Sequence, residues 1–252
     1  MRILVFFLLF TMPWPLLPDP VCAEEPPVIG NQSEADEEFF EDDLDFFDEE
    51  PPLIVHDPIE PINRAVFWFN DKLYFYLFKP IARGLRVLPE NVRVSADNFF
   101  DNLSAPLRFF NNVLQLQFDD AGDEMARFIF NSTFGVAGLF DIAKDKGGIA
   151  RQNEDFGQTL GRYGVGSGFY LVLPVFGPSN ARDAVGRVGD YFLSPLTYAL
   201  DSDERIALSA AENENALSLD KDTYEGIKRD ALDSYLFIRD AYAQRREAAI
   251  KK

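Results

Sequence analysis

Hydrophobic positions open the chain as a single run over 3–12 behind Arg2, about half the length needed to cross a bilayer. Helix-breaking Pro13, Pro15 and Pro18 follow, and then Val21-Cys22-Ala23 places modest side chains where signal peptidase reads before Glu24. The pattern predicts a signal peptide over 1–23, removed after Ala23, and hence an exported protein. The alternative is lipidation of Cys22, although the lipoprotein signal usually carries Leu where Asp19 stands.

The next strong pattern lies over 63–79, predicted as a helix. Its large apolar residues run round every side instead of along one stripe, which is the signature of a helix that is buried or in lipid. Asn70, Asp71 and Lys72 interrupt it and Lys79-Pro80 closes it, so it is too short to span. A partly membrane-embedded helix fits, carried by Phe67, Trp68, Phe69, Tyr74, Phe75 and Tyr76, because Trp and Tyr favour the bilayer interface. An ordinary core helix is the competing reading.

Further helices are predicted over 92–101, over 106–116 with Pro106 in the first turn, and over 119–130 with Asp119 as cap. Beyond Phe134 the glycines crowd and periodicity fades. Ser179 is placed to cap a helix over 180–188, and Pro195 interrupts a helical stretch over 191–200. Tyr224, Ile227, Ala231, Tyr235, Ile238 and Tyr242 then recur at steps of three and four, predicting one amphipathic helix that packs by its stripe. The fold class is therefore mainly α: a helical domain over 55–200, with C-terminal amphipathic helices over 201–252 packed on it.

Charge changes the picture at one place. The net charge is −18, yet residues 3–63 alone carry −16, while residues 64–252 hold 23 basic against 26 acidic side chains. Eleven acidic residues over 34–50 surround Phe39, Phe40, Leu44, Phe46 and Phe47, a composition that repels itself and predicts a disordered tether over 24–54. Docking to a basic partner is the alternative for this segment. Nucleic-acid binding needs the opposite charge.

Candidate chemistry is sparse. Cys22 is the only cysteine, which excludes a disulfide within the chain, and His56 is the only histidine, leaving no second His or Cys to complete a metal set or a relay. Gly166-Ser167-Gly168 lacks the glycines a nucleophile elbow needs, since Val165 and Phe169 stand there. The stretch from Gly161 to Gly168 resembles a phosphate loop only in glycine count, because Phe169-Tyr170-Leu171-Val172-Leu173 follows where Gly-Lys-Ser/Thr would be. A hairpin or hinge is the physical reading, built on Gly161, Tyr163, Gly164, Gly166 and Gly168. No catalytic residue, metal or cofactor is assigned.

Several blocks stand in order: Asp57-Pro58-Ile59-Glu60-Pro61-Ile62-Asn63-Arg64; Asn98-Phe99-Phe100-Asp101-Asn102-Leu103 with Pro106 and Asn112-Val113-Leu114; Arg127-Phe128-Ile129-Phe130-Asn131-Ser132-Thr133 with Leu139-Phe140-Asp141-Ile142-Ala143; and Glu154-Asp155-Phe156-Gly157-Gln158-Thr159-Leu160-Gly161 with Gly177-Pro178-Ser179 and Arg182-Asp183. Together, over about 55–200, they resemble the MlaA (VacJ) family. The resemblance implies a helical ring-like domain on the periplasmic face of the outer membrane. That component removes phospholipid from the outer leaflet and passes it to a periplasmic carrier, commonly as a lipoprotein and beside trimeric porins. The acidic segment over 34–50 and the poor lipidation signal depart from the family pattern. The alternative function is a scaffold that docks porins or other envelope proteins without moving lipid.

Overall fold

The computed structural model describes residues 54–251. The signal peptide, Cys22 and all but the last residue of the acidic tether lie outside the described residues. From Glu60 the chain is almost wholly helical, with one short hairpin in its middle.

Helix α1 (Glu60–Leu73) starts with Glu60 and Pro61 in its first turn, where a carboxylate meets the positive helix end and a missing N–H costs nothing. It does not stop at Lys79-Pro80. A π-helical turn, Tyr74–Phe78, passes directly into α2 (Lys79–Leu85), and the Lys79 amide reaches back five residues to the Tyr74 carbonyl. The wider turn resets the hydrogen-bond ladder just ahead of Pro80, so the ring is accommodated and the helix continues.

The two helices predicted over 92–101 and 106–116 are one, α3 (Glu90–Leu114), with Pro106 inside it. The proline removes one amide donor from the ladder, yet the helix continues through it, with Arg108 Nη2 on the following turn donating to the Asp101 carbonyl at 3.2 Å. Beyond the proline the helix is held to its neighbours, Arg108 to Glu124 and Asn111 to Asp190. Helix α4 (Phe118–Thr133) begins one residue before Asp119, which lies in the first turn and not at the cap.

The glycine-rich middle is more structured than its composition predicts. Asp141 caps α5 (Ile142–Gly147), and Asp155 caps α6 (Phe156–Arg162) by accepting from the Gln158 amide at 2.8 Å. Residues 163–169 then connect α6 to a hairpin made of β1 (Tyr170–Leu173) and β2 (Gly177–Asn180), antiparallel with Tyr170 opposite Asn180 and Leu173 opposite Gly177. The hairpin is therefore the segment after the glycines, where the β-formers Tyr170, Leu171 and Val172 stand. Asn180, not Ser179, caps α7 (Ala181–Leu193): its side chain accepts from the Asp183 amide, while Ser179 is buried in β2.

After α8 (Leu196–Ala199), a reciprocal capping box between Asp201 and Glu204 starts α9 (Ser202–Leu219). The single C-terminal helix read from the tyrosine spacing is two, α10 (Thr223–Asp230) and α11 (Ser234–Lys251). The break falls where the Asp233 carboxylate accepts from the Tyr235 and Leu236 amides and pairs with Arg64 of α1, which favours a new helix start over continuation.

The elements close a circuit: α1 lies on β1, β2 on α11, α11 on α6, α6 on α3, α3 on α9, and α9 on α2, which runs back to α1. Close approach is bought at glycine between α6 and α7, where a Cβ on Gly186 would lie 2.5 Å from the Gly157 amide nitrogen. No helix among the described residues is long and apolar enough to cross a membrane.

Candidate functional site

Most amphipathic helices of a water-soluble domain turn their apolar stripe inward. Here several do the reverse. Buried positions of α4 are Ala121, Glu124, Arg127 and Asn131, whereas Phe118, Met125, Ile129 and Phe130 face out. On α7 the buried set is Arg182, Asp183, Gly186 and Asp190, with Val185, Val188 and Phe192 exposed. Helix α3 buries Ala105 and Leu107 together with five polar residues, Arg93, Asn102, Arg108, Asn111 and Asn112, and exposes Val92, Val94, Phe110 and Leu114.

Many of the inward groups pair with one another, although Asn102 Oδ1, Asn112 Oδ1 and Arg127 Nε stay buried without a hydrogen-bond partner among the described residues. Arg108 Nε donates to Glu124 Oε2 at 2.9 Å, and Arg127 Nη2 donates to Asp141 at 2.9 Å and to Asp101 at 3.2 Å, so α3, α4 and the start of α5 are tied by charge. Burial pushes the Glu124 carboxyl above its ordinary range against the opposing pull of Arg108. Burial also pushes Asp141 up, but the hydrogen bonds from Asn131 and Arg127 outweigh it and hold the carboxyl below its ordinary range. Asn111, with no solvent exposure, donates to Asp190 Oδ1 at 3.0 Å, and the Phe156 amide donates to the same oxygen at 2.9 Å. Burial, then the nearby charge of Asp155, push Asp190 up to about 7. Arg246 of α11 forks onto Asp155 at 2.6 and 2.9 Å and reaches Asp183 at 2.7 Å, closing α6 and α7 against the last helix.

The six aromatic residues of the first helix divide. Phe67 packs on the small apolar cluster of Tyr170, Val172 and Tyr235, with its ring edge-on to Tyr235 at 5.6 Å. Tyr74 donates to Glu225 at 2.9 Å and lies against Tyr224, and Phe75 contacts both tyrosines. Trp68, Phe69 and Tyr76 point outward, Trp68 at 62% and Tyr76 at 79% exposure. The polar interruption is part of the inner face: Asn63 and Asn70, seven residues apart, each bond two backbone groups of the hairpin, and buried Asp71 accepts from Tyr224 at 2.9 Å and Lys228 at 2.7 Å. A helix apolar on all sides in sequence thus has an inner face docked by amide side chains and an outer aromatic face.

The glycine segment bridges α6 and β1. Gly161 lies in the last turn of α6 against Ile250 and Arg182, and Tyr163 donates its hydroxyl to the Leu114 carbonyl at 2.6 Å, satisfying an orphan group at the end of α3. Gly164 takes φ +85° and Gly168 φ +70°, a region that side chains resist, while Gly166 stands in open space with ordinary backbone. Val165 and Phe169 on this segment are exposed, continuing the outward apolar face.

Sequence reading quoted Asp101 and Arg127 only as members of the family blocks and did not name Arg108, Glu124, Asp190 or Arg246. The available signal was their own helical spacing, as in Ala121, Glu124, Arg127 and Asn131, opposite the apolar stripe.

Known proteins are similar to this chain in sequence and architecture. The family profile described as MlaA lipoprotein matches residues 55–249. An uncharacterised protein of Rickettsia bellii is 37% identical over 203 residues, 78% of each chain. The Escherichia coli K12 protein named intermembrane phospholipid transport system lipoprotein MlaA is 35% identical over 198 residues, covering 76% of this chain and 77% of that one. A solved chain described as "Structural basis for maintenance of bacterial outer membrane lipid asymmetry" superposes with a TM-score of 0.66 at 32% identity, over 77% of this chain and 98% of that one.

Proposed function

Because the chain belongs to the MlaA lipoprotein family over residues 55–249, we propose that it removes phospholipid from the outer leaflet of the outer membrane and hands it to a periplasmic carrier. The observation that carries this reading is the reversed amphipathicity of α3, α4 and α7. Exposed apolar faces of this extent are unfavourable in water and favourable in a hydrocarbon surround. The inward polar groups, buried and paired with one another, hold the helices in this reversed orientation. The closed circuit of elements around them supports a conduit lying in the periplasmic leaflet of the membrane.

Energetics set what such a conduit must do. Drawing two acyl chains bare through water costs on the order of 20 kcal/mol at about 0.8 kcal/mol per methylene. In this reading the tails stay against Phe110, Ile129, Phe130 and Phe192 while the headgroup passes the polar side, and no covalent step is required. Direction comes from lipid gradients or partners, with the periplasmic carrier as acceptor and a trimeric porin as neighbour. Family naming as a phospholipid transport component supports a transporter over an enzyme.

The test is the phospholipid exposed on the surface of cells lacking this chain. The deletion strain is expected to show more, with greater detergent sensitivity, both reversed by the wild-type gene. Unchanged surface phospholipid would sink transport, and a purified protein that also carries no bound phospholipid would leave the scaffold reading.

A further inference from the structure

Where α2 ends and α3 begins, a cleft of about 280 Å³ opens against the last turn of α9. Its wall carries three cations, Arg86, Arg93 and Lys221, and three carboxylates, Glu90, Asp220 and Asp222. Much of this set is committed to structure. Arg86 donates through Nε to the Ser218 carbonyl at 3.2 Å and through Nη2 to the Asp220 carbonyl at 2.6 Å and Asp222 Oδ1 at 3.1 Å. Arg93 donates through Nε to the Leu88 carbonyl at 3.3 Å and through Nη1 to Ser218. Thr223 occupies Asp220 through its amide and hydroxyl. These bonds seal the carbonyl end of α9 and hold both guanidinium groups in place.

What is left over has both signs. No hydrogen bond or ion pair engages Glu90 or Lys221 among the described residues, and the bonds above leave Arg86 Nη1 and Arg93 Nη2 uncommitted. Pro89 gives α3 no side-chain cap, and its carbonyl already accepts from the Val92 and Arg93 amides. Beside the cleft, Val87 and Leu88 form an exposed apolar shoulder.

We propose that this cleft holds the headgroup of a zwitterionic phospholipid, with the phosphate against Arg86, Arg93 and Lys221, the ammonium against Glu90, and the glycerol and first methylenes across Val87 and Leu88. The inference rests on the phospholipid reading above. A lone anion entering here meets Glu90 unpaired, and a lone cation meets Lys221 and the arginines. A ligand carrying both charges on adjacent groups pairs every uncommitted one. The cleft is separate from the buried network around Glu124 and Asp190, whose groups are bonded within the protein.

The experiment titrates the full chain, solubilised in detergent, with short-chain phosphatidylethanolamine, short-chain phosphatidylglycerol and free glycerophosphoethanolamine, by calorimetry. Wild type is expected to bind the ethanolamine lipid about ten-fold tighter than the glycerol lipid, the worth of one charge-assisted hydrogen bond. Glu90→Gln should abolish that preference, and Lys221→Met should weaken both lipids several-fold; both side chains lack structural partners, so folding is retained. Equal affinity for the two lipids in wild type, or an intact preference in Glu90→Gln, overturns the proposal. Binding of the free headgroup as tight as the lipid overturns the lipid as its source. The phospholipid reading itself fails separately, if wild type does not clear surface phospholipid from the deletion strain.

Discussion

Glu124 of α4, with no exposure to solvent, accepts a hydrogen bond from Arg108 of α3 at 2.9 Å, and its second oxygen accepts from the Gln152 amide. Two helices whose outer faces are apolar are therefore joined through a charged seam. Glu124→Leu leaves Arg108 buried with one partner fewer and should cost about 3–5 kcal/mol in denaturant unfolding. The double variant with Arg108→Met should recover part of that loss, and a double variant no better than the single would show that the pair acts through Asp101 instead.

Neighbouring aromatic residues should respond oppositely. Phe67→Ala removes a ring from the Tyr170–Tyr235 cluster and should cost about 3 kcal/mol in stability. Trp68→Ala, on the exposed side, should change stability by about 0.5 kcal/mol or less yet reduce the fraction of protein retained by vesicles in flotation.

The glycine segment separates strain from movement. Gly164→Val forces a β-branched residue to φ +85° and should cost about 1–3 kcal/mol. Gly166→Val meets no atom within 4 Å and no positive φ, so its melting temperature should match wild type. A fall in surface-lipid clearance by Gly166→Val at unchanged stability would make this connection a moving part; unchanged clearance would make it a turn.

Asp190 gives the pH dependence a definite sign. Its folded carboxyl titrates at about 7, above the roughly 3.9 of an unfolded aspartate, so the folded state binds the proton more tightly. Stability from this group is fully present below the unfolded value and is lost as pH rises from about 4 through 7, by at most about 1.4 kcal/mol per pH unit. Asp190→Asn, which keeps an acceptor for Asn111 and the Phe156 amide, should flatten the unfolding profile between pH 5 and 7. An unchanged slope would shift it onto Glu212, raised to about 7 by burial first and Asp97 second, or onto Glu214, raised to about 7 by burial.

The helices were legible in the sequence wherever a stripe repeated, as over 119–130 or around Tyr235 and Tyr242, and so was the family. Ends were less legible, because Pro80 reads as a stop and Pro106 as a start, whereas a π-turn carries the first helix past Pro80 and α3 runs unbroken through Pro106. Which way a stripe faces was not legible at all. Phe118, Met125 and Ile129 opposite Glu124, Arg127 and Asn131 form the same periodic pattern whether the apolar side meets protein or lipid, and only burial decides. The Glu90–Lys221 cleft joins residues far apart in the chain, so no local motif announced it.

The reversed helix faces are tested most directly by quenching of Trp68 fluorescence with phospholipids brominated along the acyl chain, using full-length protein carrying Trp14→Phe in vesicles. Strong quenching of Trp68, together with weak quenching of a tryptophan moved to position 67 in a Trp68→Phe background, is the predicted result. Equal, weak quenching at both positions would contradict an outward apolar face in contact with lipid.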